Sequence, residues 1–269
     1  MEIRIYDGCG NDFVLVDYSE KEDYGKLAQT LCSVEHFDTD GLIAVKKNPL
    51  EMIYYNKDGS RAPMCGNGIR CFSLDVSRTQ KFSHQKLLID TLSGIHEVEV
   101  LQEEPFVCTV NMGSPDYQSI ELGIDRDLLP VKQKEVLIDD VAIKITSVFM
   151  GTVHTVVFVP SIQTFDTHLG EKICTHPLFK KQTNVNFVEV KSPTCLIVRT
   201  YERGVGWTKA CGTGCCAAYV VARDLGYVNQ EQEILILLED GTLQIKGTES
   251  IKMTGPTQHQ WTIQWEEDE

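Results

Sequence analysis

The chain has 269 residues, of which 42% are hydrophobic and 24% are charged, the composition of an ordinary globular protein. Its net charge of −14 argues against a nucleic-acid partner, because a phosphate backbone requires a basic surface. No run of about 18 apolar residues is present, so no membrane span is expected, and the N-terminal stretch lacks the apolar core of a secretory signal. We therefore expect a cytoplasmic protein whose ten cysteines are thiols rather than disulfides.

Short runs of alternating or β-branched residues predict strands along the whole chain. Helical patterns are fewer and fall at 25–32, 68–78 and 214–226, the last of which stops at Gly226. Strands thus outnumber helices, and the pattern predicts a mixed α+β fold. In chain order the predicted strands are 13–17, 42–46, 52–56, 96–100, 107–112, 141–148, 155–159, 187–190, 196–201, 233–238 and 243–247.

One pattern occurs twice: a strand, then Cys-Gly-X-Gly, then a helix. Its copies are MCGNGIRC (64–71) and ACGTGCC (210–216). In each copy a tyrosine stands ten residues before the cysteine, and a glycine turn further upstream pairs Asn11 with Thr152. A period this long indicates a duplicated domain and not a solenoid. We therefore predict two halves built on one plan, residues 1–114 joined by the last strand at about 258–269, and residues 115–257.

Each Cys-Gly-X-Gly puts its cysteine, Cys65 or Cys211, at the N-terminus of a predicted helix. Unpaired backbone N–H groups there can hold a carboxylate, and the same partial positive charge is expected to lower the pKa of the thiol. If the halves face each other, both thiols can flank one small substrate. A thiolate on one face would remove a proton from the carbon beside the carboxylate, and a thiol on the other face would return one. This is stereoinversion by two bases, which needs no cofactor.

Other functions fit the cysteines less well. A metal site is not expected, because no Cys-X-X-Cys pair exists to hold zinc. A P-loop is excluded, because no Gly-Lys-Ser/Thr follows the glycines. A Cys–His hydrolase stays open through His154, for which we favour a supporting role near the thiols. A non-catalytic module that senses redox state or zinc also stays open.

Polar residues in and around these motifs suggest a lining that grips ammonium and carboxylate groups. Arg203 is suited to clamp a carboxylate with two hydrogen bonds, and Glu202 is suited to hold an ammonium group. Asn56 also begins Asn-Lys-Asp-Gly, which is typical of a hairpin turn. The other candidates are Asn11, Asn184 and Asn186.

Four segments, in this order and spacing, resemble the diaminopimelate epimerase family: GCGNDFVLVD (8–17), YNKDGSRAPMCGNGIRC (55–71), TNVNFVEV (183–190) and YERGVGWTKACGTGCCAA (201–218). The resemblance covers nearly the whole chain. It implies two α+β domains, each a mixed sheet curled around a central helix, with the active site in the cleft. It also implies a homodimer that interconverts LL- and meso-2,6-diaminopimelate without pyridoxal phosphate, in lysine and peptidoglycan synthesis.

The resemblance also implies roles for individual residues. Cys65 and Cys211 would be the acid–base pair, and His154 matches a family histidine near the cysteines. Backbone N–H groups around four residues would hold the reacting carboxylate: Gly66, Asn67, Gly212 and Thr213. Five side chains would line the substrate site: Asn11, Asn56, Asn184, Glu202 and Arg203.

Three segments depart from the family pattern. Thr152 stands where the family has an Asn that binds the distal end of the substrate, and Val153 replaces the following Pro. Trp207 replaces a Glu, and HFDTDG (36–41) keeps only two residues of a glycine-rich segment. Thr152 and Trp207 could therefore reshape the site beyond the reacting carbon. A cofactor-independent racemase of another amino acid, for example histidine, is the alternative that this suggests.

Two related families fit less well. Proline racemase-like enzymes typically carry His where this chain has Asn67. Phenazine-biosynthesis-type isomerases share the fold but lack the pair of thiols.

Overall fold

The computed structural model describes residues 1–79 and 86–266. These residues form seventeen strands, four α-helices and two single-turn 3-10 helices, so the chain is a mixed α+β protein built mostly from strands. By its internal contacts the chain divides into two compact units, Met1–Asn111 with Thr254–Glu269, and Met112–Met253. The halves predicted from the sequence, 1–114 with about 258–269 and 115–257, stay a prediction. Residues 267–269 of that last predicted strand lie outside the described part.

The first unit surrounds helix α2 (Gly66–Thr79), which packs against β2, β3, β4, β6 and β17. A shorter helix, α1 (Tyr24–Leu31), begins where the Asp23 side chain accepts a hydrogen bond from the N–H of Lys26, as a helix N-cap does. Its strands are β1 (Glu2–Asp7), β2 (Asp12–Asp17), β3 (Gly41–Lys47), β4 (Leu50–Asn56), β5 (Lys86–Thr91), β6 (Gly94–Glu103), β7 (Phe106–Gly113) and β17 (Gln258–Gln264). β1 pairs with both β2 and β17, which ties the C-terminal strand to the first one.

The second unit surrounds helix α4 (Gly212–Asp224), which packs against β9, β10, β11, β12 and β15. Eleven of its thirteen residues are buried, and a helix that is buried on all sides is a core helix. A short helix, α3 (Leu169–Cys174), packs against β11, β12 and β13. The strands are β8 (Lys134–Ile138), β9 (Val141–Phe149), β10 (Val153–Phe158), β11 (Asn184–Ser192), β12 (Cys195–Glu202), β13 (Gly206–Thr208), β14 (Ile234–Leu237) and β15 (Thr242–Lys246). A further strand, β16 (Ile251–Pro256), begins in this unit and ends in the first.

Both units repeat one pattern of strand pairing around their long helix. In the first, β2 runs parallel to β3 and β3 runs antiparallel to β4. In the second, β10 runs parallel to β11 and β11 runs antiparallel to β12. The registers also correspond, since Phe13 pairs with Gly41 where His154 pairs with Asn184. The repeat seen in the sequence therefore extends to the residue-by-residue pairing of three strands.

The eleven strands predicted from alternation are confirmed, and the segments predicted as helices correspond to α1, α2 and α4. Five strands and α3 escaped prediction: β1, β5, β8, β13 and β16. The first of these, β1, pairs with β17 at the other end of the chain, a partner that no local pattern indicates. Among the helices of the described residues, none has the length and apolar character needed to cross a bilayer.

Candidate active site

Cys65 occupies the N-terminal end of α2. Its carbonyl oxygen accepts the hydrogen bond of the Ile69 N–H at 2.9 Å, and its Sγ lies 3.4 Å from the N–H of Gly68. The thiol is partly exposed. Cys65 therefore stands directly before the first residue of α2, at the helix end that the sequence predicts, and the first turn directs a backbone donor at the sulfur.

Asn67 and Asn11 meet beside this helix end. The Nδ2 of Asn67 donates to the Oδ1 of Asn11 at 2.5 Å. A turn from Gly8 to Asn11, closed by a backbone hydrogen bond of 2.9 Å, positions Asn11. A methyl group at Gly8 would lie 3.0 Å from the Asn67 carbonyl oxygen, so the turn and the helix end are packed backbone to backbone. The structure thus brings together Cys65, Gly66, Asn67 and Asn11.

Asn56, the remaining candidate of the first unit, begins a tight turn. Its carbonyl oxygen accepts from the Gly59 N–H at 2.9 Å, and its Nδ2 donates to the Ser60 Oγ at 3.0 Å. The hairpin-turn interpretation of this sequence is therefore correct for the backbone. The side-chain oxygen of Asn56 is not used by the turn bond to Ser60.

Cys211 occupies the equivalent end of α4, and its backbone there is extended. The Cys215 N–H donates to its carbonyl at 2.9 Å, and its Sγ lies 3.5 Å from the Thr213 Oγ1. This thiol is 7% exposed. Burial, reinforced by the carboxylate of Glu202, raises the pKa of Cys211 well above its usual range. The expected lowering of its pKa by the helix end is therefore wrong, because desolvation outweighs the hydrogen bonds from Thr213 and the Gly214 N–H.

A buried polar chain runs behind Cys211. The Nδ2 of Asn186 lies 3.4 Å from the carbonyl oxygen of Thr155 and 3.1 Å from the Nδ1 of His154. The Thr200 hydroxyl donates to the Oδ1 of Asn186 at 3.0 Å. Because a carbonyl oxygen only accepts, Nδ2 is the amide nitrogen, and the His154 Nδ1 must be the acceptor. The His154 proton therefore resides on Nε2, which is buried without a partner among the described residues.

Burial also lowers the pKa of His154 to about 3, with a smaller contribution from the positive charge of Arg203. The ring is therefore neutral at physiological pH and is a hydrogen-bond donor through Nε2. A neutral ring with a fixed tautomer agrees with the supporting role favoured for His154.

Three further candidates lie at the ends of β11 and β12. The Oδ1 of Asn184 accepts from the N–H of Arg203 at 3.0 Å. Arg203 is exposed and its Nη1 donates to the Lys181 carbonyl at 3.2 Å. Glu202 accepts from the Thr208 hydroxyl at 2.8 Å.

The turn that precedes β10 lies close to the N-terminal end of α4, because a methyl group at Gly151 would lie 3.5 Å from the Thr213 Cγ2. Thr152 follows in this turn and accepts from the Met150 N–H through its carbonyl.

Trp207 belongs to the opposite face of the sheet. In the register of β12 and β13 it pairs with Tyr201, whereas Thr200 pairs with Thr208. Since paired residues share a face and neighbours alternate, Trp207 faces away from the side on which Thr200 contacts Asn186. Its ring packs against Phe165, Phe187 and Tyr201 and under the Arg199 guanidinium. Trp207 therefore belongs to an aromatic packing cluster, and its expected effect on the site beyond the reacting carbon stays a prediction.

Sequence reasoning missed the roles of three buried residues: Asn186 was named only as a general polar candidate, and Thr200 and Arg70 were not named. The period-two alternation that places Asn184 and Asn186 on one face was a signal for Asn186. Arg70 gave no signal, because an arginine in the first turns of a helix is normally exposed. Among the described residues no group of three or more His, Cys, Asp or Glu side chains is arranged to hold a metal ion.

Known proteins resemble this chain over most of its length. A model of the diaminopimelate epimerase family matches residues 3–118 and 146–260. The diaminopimelate epimerase of Caldanaerobacter subterraneus is 39% identical over 227 residues, which cover 81% of this chain and 82% of that protein. The enzyme of the same name from Halothermothrix orenii is 36% identical over 270 residues, which cover 95% of this chain and 94% of that protein.

Solved structures of more distant proteins share the fold. A hydroxyproline epimerase from Agrobacterium vitis superposes with a TM-score of 0.71 at 10% identity, covering 98% of this chain and 90% of that one. A phenazine biosynthesis protein from Bacillus anthracis superposes with a TM-score of 0.69 at 13% identity, covering 98% of each chain. At such low identity these likenesses concern the fold alone.

Proposed function

The chain belongs to the diaminopimelate epimerase family, an isomerase family of lysine biosynthesis, and on that premise we propose that it interconverts LL- and meso-2,6-diaminopimelate through Cys65 and Cys211, without pyridoxal phosphate. The observation that carries the proposal is the equivalence of the two cysteines. Each directly precedes the first residue of the long helix of its unit, and both units share the same three-strand register. A duplicated base is what inversion of a carbon centre requires, one group for each face.

The protons balance with one thiolate and one thiol. The thiolate takes the proton from the Cα of the substrate, and the thiol gives its proton to the opposite face, so the two sulfurs exchange protonation states in each turnover. The raised pKa of Cys211 favours its protonated form. We therefore propose Cys211 as the group that donates a proton in the resting enzyme, with Cys65 as the base that removes one. Before the next turnover in the same direction, Cys211 must regain a proton from solvent and Cys65 must lose one.

The helix ends supply the electrostatic part of the mechanism. Removal of the Cα proton moves negative charge onto the carboxylate of the substrate. Backbone N–H groups at Gly66, Asn67, Gly212 and Thr213 are the donors that we propose for this carboxylate, because the first N–H groups of a helix have no partner within it. Fixed donors aimed at developing charge are worth about 3 to 4 kcal/mol each in other enzymes.

Polar side chains would hold the rest of the substrate. We assign the second carboxylate to Arg203 and an ammonium group to Glu202, with Asn11, Asn56, Thr152 and Asn184 as further contacts. The hydrogen bond from the Arg203 N–H to Asn184 and that from Thr208 to Glu202 support these roles, because they hold the side chains that would grip the ligand. His154 would support the thiols as a neutral donor.

The finer architecture is also a proposal. Two pseudo-symmetric domains would each curl a mixed sheet around the long helix. We further propose a homodimer, which light scattering combined with size-exclusion chromatography would establish by mass.

Deuterium exchange tests the function. The protein is incubated under reducing conditions in D₂O with LL-diaminopimelate, and separately with single L-amino acids that include histidine. We expect deuterium at the Cα of diaminopimelate and formation of the meso isomer. Exchange with another amino acid and none with diaminopimelate would leave the two-thiol mechanism and overturn the substrate, in which case Thr152 becomes the first residue to examine. Absence of exchange with every compound would overturn the enzyme itself.

A further inference from the structure

Arg70 is a buried cation in the second turn of α2. Its side chain is fully buried, at 0% exposure, and no carboxylate of the described residues lies within ion-pair distance of it. Its Nη1 donates to the Gly66 carbonyl at 3.0 Å and to the Asn67 Oδ1 at 3.2 Å, and its Nε donates to the Pro256 carbonyl at 3.3 Å. Nη2 has no hydrogen-bond partner among the described residues. A buried guanidinium without a counter-charge is unfavourable for folding, so its presence calls for a function.

The guanidinium fixes which way the side-chain amide of Asn67 points. An arginine donates at every nitrogen and cannot accept or lose its proton in a protein. The atom of Asn67 that faces Arg70 must therefore be the oxygen, and the amide nitrogen must face the other way. That nitrogen lies 2.5 Å from the Asn11 side chain.

The same logic passes to Asn11. A donating Nδ2 on Asn67 requires an acceptor, so the Oδ1 of Asn11 must face Asn67. The Nδ2 of Asn11 is then directed away from Asn67 and has no hydrogen-bond partner among the described residues, while the side chain is partly exposed. Reversal of either amide would set two donors or two acceptors against each other.

We propose that Arg70 is a positioning residue that fixes the amides of Asn67 and Asn11 in one orientation, so that Asn11 offers its Nδ2 as a donor to an oxygen of the substrate. The inference rests on the proposed function for the identity of that substrate. The direction of the two amides does not depend on the proposed function, because it follows from the chemistry of the guanidinium.

The hydrogen bonds that run from Arg70 through Asn67 to Asn11 form a relay. This relay has no counterpart at the corresponding positions around Cys211. The residue five positions after Cys211 is Cys216, where Arg70 is five positions after Cys65. Thr213 and Thr152 stand where the first unit has Asn67 and Asn11. Hydroxyl groups donate and accept as their surroundings require, so these two threonines do not have the fixed polarity of Asn67 and Asn11.

Steady-state kinetics with diaminopimelate provide the first test, on Arg70→Met, Asn11→Ala and the double variant. For Arg70→Met we expect KM to rise about tenfold, the equivalent of about 1.4 kcal/mol, and kcat to change less than about threefold, because the thiols are untouched. Arg70→Lys keeps one donor for Asn67 and should restore KM to within about threefold of wild type. The double variant should have the KM of Asn11→Ala, because Arg70 acts through Asn11.

Arg4→Met is the matched control. Arg4 is the other buried arginine of the first unit, paired with Asp75 at 2.7 Å and remote from the Asn67 contacts in the hydrogen-bond network. We expect this variant to lower Tm and to leave KM unchanged. Two results would overturn the relay. One is a double variant whose KM rises by the product of the two single effects. The other is an Arg70→Met variant that, like the control, changes only Tm.

Side-chain amide NMR separates this inference from the proposed function. The Nδ2 protons of Asn67 and Asn11 are assigned with Asn→Ala variants of ¹⁵N-labelled protein without substrate. In wild type we expect the Asn67 Nδ2 proton in the short bond to exchange slowly with water and the Asn11 protons to exchange fast. In Arg70→Met this difference should collapse as both amides turn. An inactive wild type with the full difference would overturn the function and keep the relay, and an unchanged spectrum in Arg70→Met would overturn the relay.

Discussion

The N-terminal ends of α2 and α4 hold equivalent cysteines in front of very different neighbours. Behind Cys65 the supporting positions are apolar or aromatic, and behind Cys211 they form a hydrogen-bonded polar chain. A methyl group at Gly68 would lie 3.0 Å from the Ile43 Cδ1, whereas one at Gly214 would lie 2.3 Å from the Asn186 Oδ1. The equivalent pairs, read from the strand registers, are Phe13 and His154, Ile43 and Asn186, and Tyr54 and Thr200.

The difference shows which features the two helix ends share and which they do not. Both keep the glycines and the cysteine that the proposed two-base reaction needs. The surroundings of the two cysteines differ. Cys211 is buried beside Glu202 with a raised pKa, and Cys65 is partly exposed, with Arg70 and two fixed amides beside it.

The largest expected effect is loss of a thiol. Cys65→Ala and Cys211→Ala should each lower the rate of inversion by about a thousandfold or more, since each removes one acid–base group. The unequal support predicts a further difference. Cys211→Ala keeps Cys65 as the base and should still exchange the Cα proton of one stereoisomer in D₂O. Cys65→Ala keeps a protonated thiol and should lose exchange with both stereoisomers.

Chiral chromatography and mass spectrometry of the recovered diaminopimelate measure both quantities. Cys32→Ala and Cys195→Ala are the controls, one in each unit, because Cys32 follows α1 and Cys195 begins β12, and neither belongs to the N-terminal end of α2 or α4. They should retain inversion within about threefold of wild type. Equal exchange by Cys65→Ala and Cys211→Ala would contradict the proposal that Cys65 is the base in the resting enzyme.

The next effect concerns stability against acid. The folded pKa of His154 is about 3, below its unfolded value of about 6.5. The unfolded chain therefore binds more protons as pH falls from about 7, and the free energy of unfolding should drop by on the order of 4 kcal/mol by pH 3. Phe13, at the equivalent position of the first unit, cannot titrate. His154→Gln keeps an acceptor for Asn186 and should flatten this drop in denaturant titrations at a series of pH values. If the free energy of unfolding fell equally with pH in the two proteins, His154 would contribute nothing to the loss of stability in acid.

A matched pair of glycine substitutions compares the two supports directly. Gly214→Ala would push a methyl group into the buried amide of Asn186 and should lower the free energy of unfolding by about 2 to 3 kcal/mol. Gly68→Ala meets the end of a flexible isoleucine side chain and gains helix propensity of up to about 1 kcal/mol, so a change of less than about 1 kcal/mol is expected. Thermal and urea unfolding measure both, and equal losses would mean that the supports are equally rigid.

The sequence was sufficient for what depends on local signals. Alternation located β2, β3 and β4, and the Cys-Gly-X-Gly pattern located the two helix ends, because both follow from neighbours along the chain. The face on which Trp207 lies could not be predicted, because the face of a strand residue is fixed by its register with other strands. The raised pKa of Cys211 and the burial of Arg70 depend on tertiary packing, for which no local pattern exists.

The smallest expected effect is the order in which the two thiols react. With iodoacetamide at pH 7.5, Cys65 should be alkylated about tenfold faster than Cys211, because the thiolate is the nucleophile and burial keeps Cys211 protonated. The ratio should shrink as pH rises, since more of Cys211 then ionises. Mass spectrometry of the two cysteine peptides gives both rates, and unfolded protein provides the reference in which the ratio is close to one. Faster alkylation of Cys211 at neutral pH would mean that Cys211, and not Cys65, is the more acidic thiol, and would reverse the direction of proton transfer proposed for the resting enzyme.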